Sequence, residues 1–127
     1  MARTGSETIL VVEDEPALCG LVKDILLRYG YRVLTAGSGV EALQVWAGNK
    51  QSIDLLLTDM VMPHGVSGRE LAEQVQKEKP ELEVLYTSGY SAEMLGTDFV
   101  LQPGIRFLQK PYEPETLAKA IRVCLDE

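Results

Sequence analysis

The sequence predicts one α/β domain built on a doubly wound, five-stranded parallel sheet. Five apolar, β-branched runs alternate along the chain with five stretches of helical periodicity. Most of the runs are continuously apolar, which is typical of parallel strands covered by helices on both faces. Repeated strand–helix alternation gives βαβ units with right-handed crossovers and one sheet. The length of 127 residues, 46% of them hydrophobic, suits a single domain with its own core.

The predicted strands are short and separated by amphipathic segments. They cover Thr8–Glu13, Tyr31–Ala36, Ile53–Thr58, Leu82–Thr87 and Ile105–Gln109. Apolar residues recur at the spacing of one helix face in the first and last of the helical segments, as in Leu18, Val22, Ile25, Leu117, Ile121 and Cys124. The fourth helical segment, Ser91–Gly104, contains two glycines and a proline, so we expect a short or irregular helix there.

The helix boundaries carry their own signals. Two prolines fit first-turn positions, where a missing N–H costs little, and two Ser-x-x-Glu segments match the capping box. Two glycines and a further proline fit helix ends. In chain order these residues are Pro16, Gly30, Ser38–Glu41, Gly48, Ser67–Glu70, Pro80 and Pro114.

Charge and hydropathy exclude two classes of partner. The net charge is −7, from 12 Lys and Arg against 19 Asp and Glu, so a nucleic-acid backbone would be repelled. No apolar run approaches the roughly 20 residues that a membrane span needs, which argues against direct membrane insertion. The start, residues 1–7, lacks the apolar segment of a signal peptide. We therefore expect a polar leader over 1–7 and a cytoplasmic domain over 8–127, although a parent chain could be membrane-anchored.

The chemistry-bearing residues cluster at the carboxyl ends of the predicted strands, where open parallel sheets form their sites. Carboxylates are hard oxygen ligands that suit Mg²⁺, and a carboxylate can also attack phosphorus. A hydroxyl and an ammonium group can take the remaining phosphoryl oxygens. These residues are Glu13, Asp14, Asp59, Thr87, Ser88 and Lys110.

Asp59 is the natural nucleophile of this set, because Glu13 and Asp14 are adjacent and better suited to share an ion. Each residue alone also has a structural explanation. Asp14 could cap the helix that begins at Pro16, and Ser88 before a glycine is typical of a turn. The joint occurrence of these residues at four strand ends favours a site.

Four motifs resemble the receiver domains of bacterial two-component response regulators. They are VVEDEP at Val11–Pro16, TDMVMP at Thr58–Pro63, TSGY at Thr87–Tyr90 and LQKPY at Leu108–Tyr112, and the resemblance extends from Ile9 to Leu125. It implies a flavodoxin-like sheet of order 2-1-3-4-5. The segment Pro63–Gly68 makes the chain most similar to receivers at the C-terminus of hybrid sensor histidine kinases.

The resemblance implies a phosphoacceptor site with Mg²⁺ as its cofactor. Asp59 would take a phosphoryl group from a phosphohistidine and also contact the ion. Asp14 would bind Mg²⁺ directly, Glu13 mainly through water, and the backbone carbonyl of Val61 would be a further ligand. Glu13 stands where the family more often has Asp, and a longer side chain suits a water-mediated role.

The resemblance also implies how phosphorylation would be sensed. Ser88, in place of the commoner Thr, would be the switching hydroxyl, Lys110 would contact the phosphate, and Phe107 would be the aromatic switch residue. Lys110–Pro111 would be a cis peptide. Two further positions, Val61 and Tyr90, are linked in the family to phosphoryl lifetime. Since neither readily orients a water molecule, we expect slow self-dephosphorylation.

The expected phosphodonor is a histidine kinase or a histidine phosphotransfer domain, and the expected assembly is a monomer or weak dimer. The domain would not be an enzyme beyond catalysing its own phosphorylation and slow dephosphorylation. A pseudo-receiver, a binding module that is never phosphorylated, is an alternative. A phosphohydrolase of the haloacid dehalogenase type fits less well, because its second Asp would fall at Val61. An FMN carrier would need a first loop rich in Ser, Thr and Gly rather than Glu13–Glu15.

Overall fold

The computed structural model describes residues 6–59, 68–88, 107–109 and 113–126. The strands in these ranges are β1 (Thr8–Val12), β2 (Arg32–Ala36), β3 (Ile53–Asp59), β4 (Glu83–Ser88) and β5 (Phe107–Gln109). The helices are α1 (Pro16–Arg28), α2 (Gly39–Asn49), α3 (Gly68–Glu78) and the C-terminal helix α4 (Pro114–Asp126). The fourth predicted helical segment, Ser91–Gly104, lies outside the described residues. None of the described helices is long and apolar enough to cross a bilayer.

The five strands form one parallel sheet of order β2-β1-β3-β4-β5, which confirms the predicted fold class. Predicted strand ends differ from the observed ones by about one residue. β1 ends at Val12 rather than Glu13, although the Glu13 N–H still donates to the Ala36 carbonyl at 3.0 Å. β3 runs one residue further, to Asp59, because its pairing with β4 continues through Asp59 and Thr87.

Helices cover both faces of the sheet, which explains why its strands are continuously apolar. Leu10 and Val12 of β1 pack in one buried cluster with residues of α2 and α3, including Trp46. The alternate β1 residues, Ile9 and Val11, pack in a second cluster with residues of α1 and α4. Because side chains alternate between the faces of a strand, two covered faces require apolar residues at consecutive positions.

Most helix-boundary predictions within the described residues are confirmed. Pro16 and Pro114 are the first residues of α1 and α4. Gly30 follows the end of α1 with φ of 92°, a conformation that favours glycine. The prediction for Gly48 is wrong, since α2 continues through it to Asn49.

The predicted capping box of α2 forms in a modified way. The Ser38 hydroxyl accepts a hydrogen bond from the Glu41 N–H at 3.1 Å. The Glu41 carboxylate reaches back one residue further than expected, to the N–H of Gly37. The other predicted box begins at Ser67, outside the described residues.

The edge of the sheet at which the strands begin, here called the amino-terminal edge, is held by charged hydrogen bonds. The Arg122 guanidinium on α4 donates to both carboxylate oxygens of Glu7, at 3.1 and 2.8 Å, and to Asp126 at 2.7 Å. It also donates to the Tyr31 hydroxyl at 3.3 Å. The Arg122 side chain is only 16% exposed, and its bonds to Glu7 and Tyr31 are partly buried, whereas its bond to Asp126 is exposed.

Two further contacts stabilise the same edge. The pairing of β1 with β3 shifts register between Thr8 and Ile9, and there the Thr8 N–H donates to the Asp54 carboxylate at 2.9 Å. The Lys79 ammonium, just after α3, donates to the carbonyl oxygen of Ile53. Charges at this edge therefore meet groups of opposite charge or polarity.

Candidate functional site

The opposite edge, at which the strands end, is here called the carboxyl-terminal edge, and it brings three predicted acids together. β1 and β3 are neighbours, with Val12 paired to Thr58. The residues that follow this pair, Glu13 and Asp59, therefore lie at the same level of the sheet. Carboxylate oxygens of Glu13, Asp14 and Asp59 all lie within 4.8 Å of one another. Glu13 and Asp59 are 5% and 8% exposed, whereas Asp14 is exposed.

The turn after β1 orients the two acids that it carries. The Glu13 carboxylate accepts a hydrogen bond from the N–H of Glu15 at 3.1 Å. Pro16 then begins α1, so the chain has only three residues between strand and helix. Such a short turn keeps Glu13 and Asp14 at the strand end.

The backbone around Asp59 is enclosed as well. The Thr58 hydroxyl donates to the Asp59 carbonyl oxygen at 3.0 Å in a buried position. Gly68, the first residue of α3, lies against the same carbonyl. The sequence placed Gly68 in a predicted capping box and at the end of the segment Pro63–Gly68, but it did not predict this contact. The glycine itself was the available signal, and what it contacts depends on how α3 packs on β3.

A cavity of about 320 Å³ opens beside the acids, between α1 and the start of α2. It is lined in part by Glu13, Asp14, Cys19, Lys23 and Glu41. Burial raises the pKa of the Cys19 thiol, and the carboxylates of Glu13 and Glu41 raise it further, while Lys23 acts in the opposite direction. The carboxylates of Glu13 and Glu41 thus make the electrostatic potential around Cys19 more negative.

The chemistry and spacing of the acids fit a small divalent cation. Mg²⁺ binds oxygen at about 2.0–2.1 Å, so ligand oxygens on opposite sides of one ion are about 4 Å apart. Carboxylate oxygens within 4.8 Å of one another can therefore surround an ion, with water completing its shell. A cation would also offset the repulsion among three neighbouring carboxylates.

The structure describes the remaining predicted site residues only in part. Ser88 is the last residue of β4, which lies next to β3, and its backbone is paired with Gln109 of β5. Phe107 begins β5 and pairs with Tyr86. The backbones of Ser88 and Phe107 thus lie on β4 and β5, the two strands that follow β3 in the sheet. Val61, Tyr90 and the predicted cis pair Lys110–Pro111 lie outside the described residues.

Comparison with known proteins decides the family. The sequence model of the response regulator receiver domain matches residues 9–122. This chain belongs to the receiver domain family. Receiver domains bind Mg²⁺ at an acidic pocket and accept phosphate from histidine kinases, and they form a signalling family rather than a classical enzyme family. This structure has an acidic cluster, Glu13, Asp14 and Asp59, at the carboxyl-terminal edge of its sheet.

Individual receivers are similar over nearly the whole chain. The sensor kinase CckA of Brucella abortus is 33% identical over 98% of this chain, which covers 13% of that protein. A receiver domain protein from Clostridium thermocellum has a TM-score of 0.83 at 30% identity, with 94% of each chain covered. The receiver of the hybrid histidine kinase CckA has a TM-score of 0.78 at 35% identity, over 93% of this chain and 98% of that one.

The curated relatives are longer than this chain. It spans 13% of the sensor kinase CckA, 45% of the regulator YrkP of Bacillus subtilis and 26% of the regulator GlrR of Escherichia coli. The shared part is therefore the receiver, and these comparisons bear on that domain.

Proposed function

We propose that Asp59 is the phosphoacceptor of this receiver domain and that Glu13 and Asp14 hold Mg²⁺ beside it. The observation that carries this proposal is the convergence of the three carboxylates within 4.8 Å at the ends of adjacent strands. Asp14 is exposed and able to bind the ion directly, whereas Glu13 is buried and turned toward the N–H of Glu15. Asp59, at the end of β3, is adjacent to both.

The reaction is a transfer from nitrogen to oxygen. A carboxylate oxygen of Asp59 forms a bond to phosphorus as the bond from phosphorus to the donor imidazole breaks, and the imidazole leaves with the electron pair. Bound Mg²⁺ would offset the charge of the phosphoryl oxygens. Asp59 itself is held by the end of β3, so its carboxylate meets the donor in a fixed position.

We further propose that Ser88 and Lys110 bind the transferred phosphoryl group and that Phe107 repacks in response. The pairing of Asp59 with Thr87 supports this role for Ser88, because it sets the end of β4 beside the end of β3. The functions of Lys110 and Phe107, and the Val61 carbonyl as a ligand, rest on their positions in the family motifs. Movement of a hydroxyl toward the phosphoryl group would shift the domain between two conformations.

The phosphodonor is proposed to be a histidine kinase or a histidine phosphotransfer domain in the cytoplasm. The domain, proposed to span 8–127 and to act as a monomer or weak dimer, would catalyse only its own phosphorylation and dephosphorylation. The acidic net charge of −7 supports a protein donor over a nucleic-acid partner.

Phosphorylation by a small donor tests this function. The chain is incubated with acetyl phosphate and Mg²⁺, and its intact mass is recorded. We expect a gain of one phosphoryl group that is absent with a chelator and absent in Asp59→Asn. A wild-type chain that gains nothing, as a pseudo-receiver would, or an adduct that persists in Asp59→Asn, would refute the proposal.

The lifetime of the phosphoryl group is a separate proposal that rests on Val61 and Tyr90. An apolar and an aromatic side chain do not orient a water molecule for attack, so the phosphorylated domain should dephosphorylate slowly. Val61→Asn adds a polar group and should speed the loss of phosphate. Decay of the phosphorylated mass over time measures both chains, and equal decay would count against the role of Val61.

A further inference from the structure

Among the helical glycines that the structure describes, Gly68 comes closest to the backbone of β3, the strand that ends at Asp59. A Cβ atom built on Gly68 would lie 2.0 Å from the carbonyl oxygen of Asp59 and 3.0 Å from its carbonyl carbon. It would also lie 3.1 Å from the Thr58 hydroxyl oxygen. The first residue of α3 thus packs directly on the backbone that carries the Asp59 side chain.

The backbone conformation of Gly68 does not require glycine. Gly68 belongs to a regular α-helix, and its φ lies outside the left-handed region, which among the described glycines is occupied by Gly30. Glycine has no advantage over alanine as a helix former. The absence of a side chain at this position is therefore explained by the contact with Asp59 rather than by helix formation.

We propose that Gly68 is a positioning residue for Asp59: only a residue without Cβ lets α3 hold the end of β3 where the Asp59 carboxylate meets Glu13 and Asp14. The expected effect on phosphorylation rests on the proposed function, whereas the expected effect on the geometry of the acidic cluster does not.

A methyl group at Gly68 would have to displace backbone. Ordinary van der Waals contact begins at about 3.4 Å, so one of the two segments must move by more than 1 Å. The Thr58 hydroxyl can rotate away, but the Asp59 carbonyl is part of the chain and is already bonded to that hydroxyl. Any part of the shift that falls on β3 moves Asp59 relative to Glu13 and Asp14, which follow the end of β1.

Such a shift matters because both functions of the cluster depend on geometry. Mg²⁺ requires near-octahedral ligands at fixed distances, and the three carboxylates lie within 4.8 Å of one another in the present arrangement. A misplacement of about 1 Å in a reacting group can cost about 100-fold in rate. The expected result of Gly68→Ala is weaker Mg²⁺ binding and slower phosphoryl uptake in a folded domain.

Gly48→Ala is the matched control. Gly48 lies in the last turn of α2, and a Cβ there would meet no atom within 4 Å. Both substitutions add one methyl group to a helical glycine, and they differ in what that methyl group meets.

The experiment has two readouts on wild type and both variants. The first is the rise in unfolding midpoint temperature on adding Mg²⁺ alone, which reports ion binding to the folded state even in a destabilised variant. The second is the rate of phosphoryl uptake from acetyl phosphate at saturating Mg²⁺. We expect Gly68→Ala to lose most of the Mg²⁺-dependent rise and about 100-fold in rate, while Gly48→Ala keeps both at wild-type values.

Three results would overturn the inference. One is a folded Gly68→Ala with the full Mg²⁺-dependent rise, and another is a rate within about threefold of wild type. The third is a Gly68→Ala chain that stays unfolded in the cold with Mg²⁺, which would make Gly68 a requirement of folding instead. If wild type gains no phosphoryl group, the proposed function fails, but the Mg²⁺ readout still tests Gly68.

Discussion

Acidic side chains at the two edges of the sheet have different surroundings. At the amino-terminal edge, Glu7 accepts two hydrogen bonds from Arg122, and Asp54 accepts one from the Thr8 N–H. At the carboxyl-terminal edge, three carboxylates lie within 4.8 Å of one another, and two of them are buried. Among the described residues, an acid meets a cation at the amino-terminal edge, and three acids come together at the carboxyl-terminal edge.

The difference separates residues that stabilise the fold from residues that serve a site. Charge-assisted hydrogen bonds stabilise the folded state, whereas neighbouring carboxylates repel one another and gain from a bound cation. Three carboxylates this close, two of them buried, are a local electrostatic conflict that a cation can relieve. Proteins retain such local conflicts mainly at functional sites.

Strand β3 has one acid at each edge of the sheet, with Asp54 near its start and Asp59 at its end. Asp59→Asn should abolish phosphoryl uptake from acetyl phosphate, a loss of more than about 1,000-fold, because an amide is not a nucleophile toward phosphorus. Asp54→Ala should keep the uptake rate and lower the free energy of unfolding by about 1 kcal/mol, since the Thr8 N–H loses its acceptor. Intact mass and urea unfolding measure the two effects. Loss of phosphoryl uptake in a folded Asp54→Ala chain would contradict the different roles assigned to the two edges.

Arg122 provides the largest stability effect expected at the amino-terminal edge. Arg122→Ala removes a cation that bonds Glu7, Asp126 and Tyr31, so it should lower the free energy of unfolding by about 2 kcal/mol. Urea denaturation measures this change.

Lys119→Ala is the control on the same helix. Both side chains of its pair with Glu115 are more than half exposed, so we expect a much smaller loss than in Arg122→Ala. Equal losses in Lys119→Ala and Arg122→Ala would show that burial adds nothing to the contacts of Arg122.

Acid should remove the contribution of Glu7. Its hydrogen bond to Arg122 is the main reason why the pKa of Glu7 is lowered from the ordinary value of 4.5. A lowered pKa in the folded state means that the stabilisation is present above 4.5 and is lost as the pH falls through the folded-state pKa. We expect Glu7→Gln to be less stable than wild type by about 1 kcal/mol near neutral pH, and the gap to close in acid. A gap that stays constant or widens in acid would contradict this assignment.

A small effect of opposite sign is expected for charge removal at the other edge. Asp14→Asn takes one charge from the acidic cluster, so in the presence of a chelator it should raise the free energy of unfolding by about 0.5 kcal/mol. The sign is opposite to that of Glu7→Gln, and urea unfolding measures both. A loss of stability in metal-free Asp14→Asn would mean that like-charge repulsion does not dominate at this position.

The sequence was sufficient for the sheet and for the residues that converge on the site. Continuous apolar strands and the acids after β1 and β3 are local patterns, and parallel pairing of neighbouring strands brings such ends together. Contacts that depend on distance in space were not predictable in the same way. The bonding of Arg122 to Glu7 joins residues that are far apart in sequence, and the approach of Gly68 to Asp59 depends on how α3 packs on β3. Gly48 shows the limit of a local signal, since α2 continues past it to Asn49.

The central claim is that the like-charge edge works by binding a cation, and a Mg²⁺ titration of stability tests it most directly. The free energy of unfolding is measured against Mg²⁺ concentration for wild type, Asp14→Asn and Arg122→Ala. We predict that wild type and Arg122→Ala gain equally, by about 2.7 kcal/mol at a 100-fold excess over the dissociation constant, and that Asp14→Asn gains far less. No gain in wild type, or an equal gain in Asp14→Asn, would contradict the account.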